Sequence, residues 1–180
     1  MKIIESPLKG VYVIEPQVFG DERGFFLETY RASEFEKRGL PTHFVQDNFS
    51  RSSKGVLRGL HFQRGTHAQG KLVRVTLGSV FDVAVDVRRD SPTFGKYFGL
   101  ELSAENKKSM YISPGFAHGF LVLSDTADFQ YKCTEYYAPE HEGGIAWNDP
   151  DVAIDWPLKN PSLSKKDIMF KKLKDSLQLL

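Results

Sequence analysis

The run VFDVAVDV, Val80–Val87, alternates without a break: Phe81, Val83, Val85 and Val87 point to one side, and Val80, Asp82, Ala84 and Asp86 to the other. A period of two over this length is a β-strand. Its first face is wholly apolar. Its second carries two carboxylates, so that face is either wet or lines a polar cavity. If the strand is central in a barrel, the second face looks into the lumen.

Similar short runs extend in both directions from it, separated by Gly, Pro, Asn and Asp. They are Gly10–Glu15, Gly24–Tyr30, Phe44–Ser50, Gly55–Gln63 and Lys71–Leu77 on one side, and Phe98–Leu102, Ser109–Ile112, Gly119–Leu123 and Asp128–Tyr137 on the other. Many short strands at close spacing predict an antiparallel sandwich or barrel. Helical signals are few. Ala32–Arg38 reads as a short helix ended by Gly39-Leu40-Pro41. Ser164–Leu179 reads as a longer one. Ser164 and Asp167 have capping-box spacing there, and Ile168, Leu173 and Leu177 fall on one face. Between them, Ala138–Pro161 is a loop anchored by Ile145, Trp147, Ile154 and Trp156. The expectation is a mainly β, single-domain chain over residues 1–180, with a short N-terminal helix and a helical tail from about residue 162.

Bulk properties narrow the function. A chain of 180 residues suits one domain with one substantial core. The formal net charge of +1 gives no overall pull toward nucleic acid or anionic membranes. Cys133 is the only cysteine, so no internal disulfide forms, which fits a reducing compartment. The opening MKIIESPLKG carries Lys2, Glu5 and Lys9 and lacks the apolar stretch of a signal peptide, so a cytoplasmic location is expected.

Several residues could carry chemistry. Arg58 and His61 lie among apolar neighbours in Val56–Gln63; strict alternation sets them on opposite faces unless the strand bulges, and Gly59 between them is a place for a bulge. A histidine in such a run is either a satisfied core residue or a catalyst. Lys71 shares a face with Val73, Val75 and Leu77, where it must snorkel, pair with a carboxylate or serve a ligand, and Arg74 faces the other way. His118 follows the turn Pro114-Gly115, either bonding backbone or facing a site. Tyr131 and Tyr137 share parity, against Tyr136. The five histidines include no His-x-His pair, and Gln63 stands two residues after His61, so a three-ligand metal set is not expected. Gly-rich phosphate loops are also absent, which argues against ATP or dinucleotide chemistry.

Taken together, the segments FGDERGFFLETY (Phe19–Tyr30), FVQDN (Phe44–Asn48), VLRGLHFQ (Val56–Gln63), QGKLVRV (Gln69–Val75), VFDVAVDVR (Val80–Arg88), SPGFAHGF (Ser113–Phe120), YKCTEYY (Tyr131–Tyr137) and IDWP (Ile154–Pro157) resemble, in order and spacing, the dTDP-4-dehydrorhamnose 3,5-epimerases. The resemblance runs over residues 3–167. It implies a cupin-type double-stranded β-helix, or jelly-roll barrel, and a cofactor-free isomerase. That enzyme would invert C3 and C5 of dTDP-4-dehydro-6-deoxyglucose through an enolate, to make the dTDP-rhamnose used in lipopolysaccharide or cell-wall polysaccharide. The ketone at C4 acidifies both neighbouring C–H bonds, so the reaction needs a base, an oxyanion stabiliser and an acid on the opposite face.

Carried over by position, the resemblance makes His61 the base, Tyr131 the acid and Lys71 the enolate stabiliser, with Asp167 orienting the histidine. Asp167 also stands where a capping residue belongs, so a purely structural role stays open. Further implied substrate contacts are Arg23, Glu28, Gln46, Asp47, Asn48, Arg58, His118, Glu142 and Lys166, with Arg23 and Arg58 as diphosphate clamps. Tyr137 and Phe19 would stack on thymine. The family is dimeric, with the N-terminal strand region of one subunit helping to build the other's site. Three other readings remain: a relative acting at C3 or C5 alone, a sugar-nucleotide-binding cupin without activity, and a metal-dependent cupin enzyme.

Overall fold

The computed structural model describes residues 1–179, with side chains to Ser176. In chain order its elements are β1 (Lys2–Glu5), β2 (Val11–Glu15), β3 (Val18–Asp21), β4 (Gly24–Leu27), α1 (Ala32–Glu36), β5 (Gln46–Ser53), β6 (Leu57–Gln63), β7 (Lys71–Leu77), β8 (Ser79–Asp86), β9 (Tyr97–Ser103), β10 (Ser109–Ile112), β11 (Phe116–Val122), β12 (Thr126–Cys133), β13 (Glu142–Gly144) and α2 (Lys165–Ile168). A six-stranded sheet, ordered β1-β2-β10-β7-β12-β5, faces a five-stranded sheet, ordered β13-β6-β11-β8-β9. All their ladders are antiparallel. This is the expected jelly roll, but the sheets remain open at their edges and do not close into a barrel. β3 and β4 pair only with each other.

The alternation of β8 explains its central position. Val80 and Ala84 join the core between the sheets, with Val73, Val75, Phe120 and Phe129. Val83, Val85 and Val87 face outward yet are buried, because the chain after β13 folds over them with Ile145, Val152, Trp156 and Leu173. Neither face is wet, and Asp82 and Asp86 are both fully buried. Asp86 accepts hydrogen bonds from Arg88 Nε (2.8 Å), Arg88 Nη2 (2.7 Å), Ser91 Oγ (2.5 Å) and Thr93 Oγ1 (2.6 Å), which tie down the turn into β9. Helix α1 seats Phe35 on the outside of the six-stranded sheet, against Ile3, Ile14, Leu72 and Tyr111.

Two sequence expectations need correction. β1, β3 and β13, each at most four residues long, carry too little pattern to stand out. The C-terminal helix is not continuous. α2 ends at Ile168, and a separate 3₁₀ segment spans Leu173–Leu179. The break follows from competing partners. Phe170 leaves the helix to lie edge-on to His61, the Lys171 carbonyl accepts from Ala146 N (2.8 Å), and Leu173 N donates to Asp149 Oδ2 (2.6 Å). Leu173 is buried as expected, whereas Ile168 is exposed; the Leu177 side chain and Leu180 lie outside the described residues. Among the described residues no helix is long and apolar enough to cross a membrane.

Candidate active site

The two sheets diverge on one side around a cavity of about 620 Å³. Its lining comes from both. From the six-stranded sheet it takes Gln46 and Asn48 of β5, Lys71 of β7, and Tyr131 and Cys133 of β12; from the five-stranded sheet it takes Arg58 and His61 of β6, His118 of β11 and Glu142 of β13. Lys166 and Asp167 reach it from α2, and Tyr137 from the segment after β12.

Arg58 and His61 reach the same space because β6 is irregular. His118 is opposite His61, but Phe120 is opposite Arg58, so the register slips by one residue at Gly59. Gly59 has φ +130°, and a Cβ there would stand 2.6 Å from Gly119 Cα. Only glycine permits both that conformation and that approach.

His61 Nε2 lies 2.5 Å from Asp167 Oδ1. Ser164 is the N-cap of α2: its Oγ accepts from the Asp167 N–H (3.1 Å) and donates to Asp167 Oδ2 (2.8 Å). The Asp167 carboxylate thus touches both the His61 imidazole and the Ser164 hydroxyl. Burial alone would push the Asp167 carboxyl up, but the bonds from His61 and Ser164 outweigh it and hold the group below the ordinary aspartate range. The carboxylate at Nε2 favours the proton there and leaves Nδ1 as the nitrogen with a free lone pair.

Tyr131 and Lys71 stand on the facing sheet. Burial raises the Tyr131 phenol, so it stays protonated at neutral pH. Burial pushes the Lys71 ammonium down, against the charges of Cys133, Glu142 and Asp82. Asp82 has a role that the strand pattern could not specify. Its two oxygens lie 3.0 and 3.1 Å from His118 Nε2, which makes a second, buried His–carboxylate pair with His118 at the cavity wall and Asp82 behind it. The parity of Asp82 with Val80 and Ala84 was the available signal.

Glu142 accepts from Lys166 Nζ (2.7 Å) and from the Tyr137 hydroxyl (3.1 Å) at the cavity mouth. Tyr137 is placed by glutamines: its N–H donates to Gln46 Oε1 (2.9 Å), while Gln63 holds the flanking carbonyl of Tyr136 and the N–H of Ala138. Gln63 and Gln69, which binds the Glu135 carbonyl, are site-building residues that the sequence did not single out, since a strand glutamine has no distinguishing pattern.

Four expected contacts are not brought to this cavity by their own chain. Phe19 and Arg23 sit on the exposed β3–β4 hairpin, where Arg23 is taken by Asp21. Glu28 is paired with Arg31. Asp47, on the outer side of β5, is paired with Lys132. Among the described residues no three His, Cys, Asp or Glu side chains cluster as metal ligands.

A model of the dTDP-4-dehydrorhamnose 3,5-epimerase family matches residues 5–175. The chain is similar to the dTDP-4-dehydrorhamnose 3,5-epimerase of Escherichia coli K12, 60% identical over 93% of this chain and 91% of that protein. It is 58% identical to the Pseudomonas aeruginosa enzyme of the same name, over 98% of each. Among solved structures it resembles the dTDP-6-deoxy-D-glucose-3,5-epimerase of Legionella pneumophila, determined in complex with dTDP-4-keto-L-rhamnose. That match has a TM-score of 0.95 and 54% identity over 99% of this chain and 96% of that one.

Proposed function

The chain belongs to the dTDP-4-dehydrorhamnose 3,5-epimerase family, and from that premise we propose that it is the isomerase that inverts C3 and C5 of dTDP-4-dehydro-6-deoxyglucose. The observation that carries this reading is the placement of a carboxylate-bound histidine and a tyrosine on facing sheets across one cavity, with a lysine on the strand beside the tyrosine. A sugar ring between the sheets presents one face to His61 and the other to Tyr131. His61 takes the proton beside the ketone, and the resulting imidazolium is stabilised by Asp167. The electron pair moves onto the C4 oxygen, where the Lys71 ammonium stabilises the enolate. Tyr131 then returns a proton to the opposite face, and the configuration inverts. Once water has taken the proton from His61 and returned one to Tyr131, the same groups serve C3 and C5 in turn.

Arg58, Gln46, Asn48, His118, Glu142 and Lys166 bind the remainder of the substrate, with Arg58 on the diphosphate and Tyr137 on the thymine ring. Phe19, Arg23 and Glu28 act in a homodimer. The β3–β4 hairpin exposes Val18, Phe19, Phe25 and Phe26, an apolar surface suited to a second copy, and it would carry Arg23 to the partner's cavity. The whole chain is one catalytic domain, working in the cytoplasm, and its product supplies rhamnose to surface polysaccharide. The test is conversion of the 4-keto sugar nucleotide, followed by proton NMR. Appearance of the rhamno product supports the reading; binding of dTDP with no conversion would reduce the chain to a sugar-nucleotide binder.

A further inference from the structure

Asp167 can orient His61 only if something orients Asp167. A carboxylate turns easily about its last torsion, because such sp³–sp² bonds have broad wells. One oxygen, Oδ1, is on His61. The other has a single hydrogen-bond partner among the described residues, the Ser164 hydroxyl at 2.8 Å. That hydroxyl is itself held, because it accepts from Asp167 N (3.1 Å) while donating to Oδ2. The oxygen thus closes a small ring with backbone and side chain of one residue, which leaves the carboxylate little freedom to rotate.

The segment bearing Ser164 is also registered on the strand bearing His61. Ser162 N donates to the Gly55 carbonyl (2.8 Å), and Leu57 N donates to the Ser162 carbonyl (2.9 Å). On the far side of α2, Phe170 lies edge-on to the imidazole, with ring centres 5.5 Å apart. The Phe170 ring fills the space that a Cβ on Gly144 would need, 2.5 Å away. Gly144 pairs with His61 in the β13–β6 ladder. The histidine is therefore held between Asp167 and Phe170, and Ser164 fixes the one member of that arrangement still free to turn.

We propose that Ser164 is a positioning residue for the epimerisation, forming with Asp167 and His61 a three-residue chain in which its hydroxyl locks the carboxylate that aims the base. This rests on the reading of His61 as base. A serine that merely caps α2 has the same two bonds, so the test must separate the roles. Ser164→Gly does so: glycine is an adequate N-cap, costing only a few tenths of a kcal/mol relative to serine, but it has no hydroxyl. Ser164→Thr restores both the cap and the donor, and position 164 is exposed, which leaves room for the methyl group.

For Ser164→Gly we expect kcat to fall roughly 10- to 100-fold, the range typical when an outer hydrogen-bond partner behind a functional histidine is lost. KM should be unchanged. The acid limb of the kcat/KM profile should move to higher pH, since a carboxylate short of one donor holds a proton on the imidazole more strongly. Ser164→Thr should recover the wild-type rate and profile. Independently of turnover, the His61 imidazole ¹⁵N resonances should shift in the glycine variant and return in the threonine variant. Unchanged resonances with an unchanged pH profile would overturn the proposal, leaving Ser164 a cap. Absence of epimerisation in the wild-type protein would instead overturn the base assignment, and the resonances alone would then decide whether Ser164 sets the imidazole.

Discussion

Asp167→Asn alters charge with almost no change in volume, at a side chain that is 3% exposed and 2.5 Å from the imidazole. When His61 takes a proton, the carboxylate faces a full positive charge. With charge centres about 4 Å apart and an effective dielectric of about 20, their attraction is about 4 kcal/mol. The His61 side chain is 25% exposed, so water trims this. About 3–4 kcal/mol of transition-state stabilisation should vanish, roughly a 10²- to 10³-fold loss in kcat. An asparagine that presents its amide nitrogen to Nε2 would also favour the wrong tautomer and deepen the loss. Substrate affinity should survive, because the groups proposed to bind the nucleotide are elsewhere in the cavity. The assay is stopped-time NMR of the keto sugar nucleotide with purified variant, alongside calorimetric titration with dTDP. A loss of kcat under threefold with normal dTDP binding would refute the role given to Asp167.

Lys71→Met should lower kcat roughly 10²- to 10³-fold, the effect of losing one well-placed oxyanion donor, as measured by the same assay; a change only in KM would make Lys71 a binding residue. If the hairpin completes the partner's site, His61→Asn and Arg23→Ala proteins, each nearly inactive alone, should regain activity when mixed and allowed to exchange subunits, because one of the two sites in the mixed dimer has both wild-type residues; no recovery would place Arg23 outside the site. Asp86 is lowered to about 2: burial raises it, but bonds from Arg88, Ser91 and Thr93 prevail. A depressed carboxyl stabilises the fold above its unfolded value, and that contribution disappears as pH falls from about 4 through about 2. It amounts to about 2 kcal/mol. Urea midpoints measured across this range should fall for the wild type and much less for Asp86→Asn, which starts lower at neutral pH.

The strands with long apolar alternation were legible from the sequence. The period of Val80–Val87 correctly indicates a strand, and Lys71–Leu77 and Ser109–Ile112 match β7 and β10 in both limits. What periodicity could not decide was which surfaces are covered. Both faces of β8 are buried because a segment more than fifty residues later, with Ile145, Trp156 and Leu173, folds across one of them. The same long-range packing broke the C-terminal helix, where Phe170 and Lys171 found tertiary partners stronger than one more helical turn. In the site, alternation alone separated Arg58 from His61. Gly59 was a signal that the rule would fail there, and the register slip reunites them. Pairs such as His118 with Asp82 and Tyr137 with Gln46 join segments distant in sequence, and no local pattern announces them.

The most direct test is to incubate the protein in deuterium oxide with dTDP-4-dehydro-6-deoxyglucose and read deuterium by carbon position. Removal of a proton by His61 and its replacement through Tyr131 predict deuterium at both C3 and C5 of the rhamno product. Product carrying hydrogen from the substrate at both carbons would contradict it.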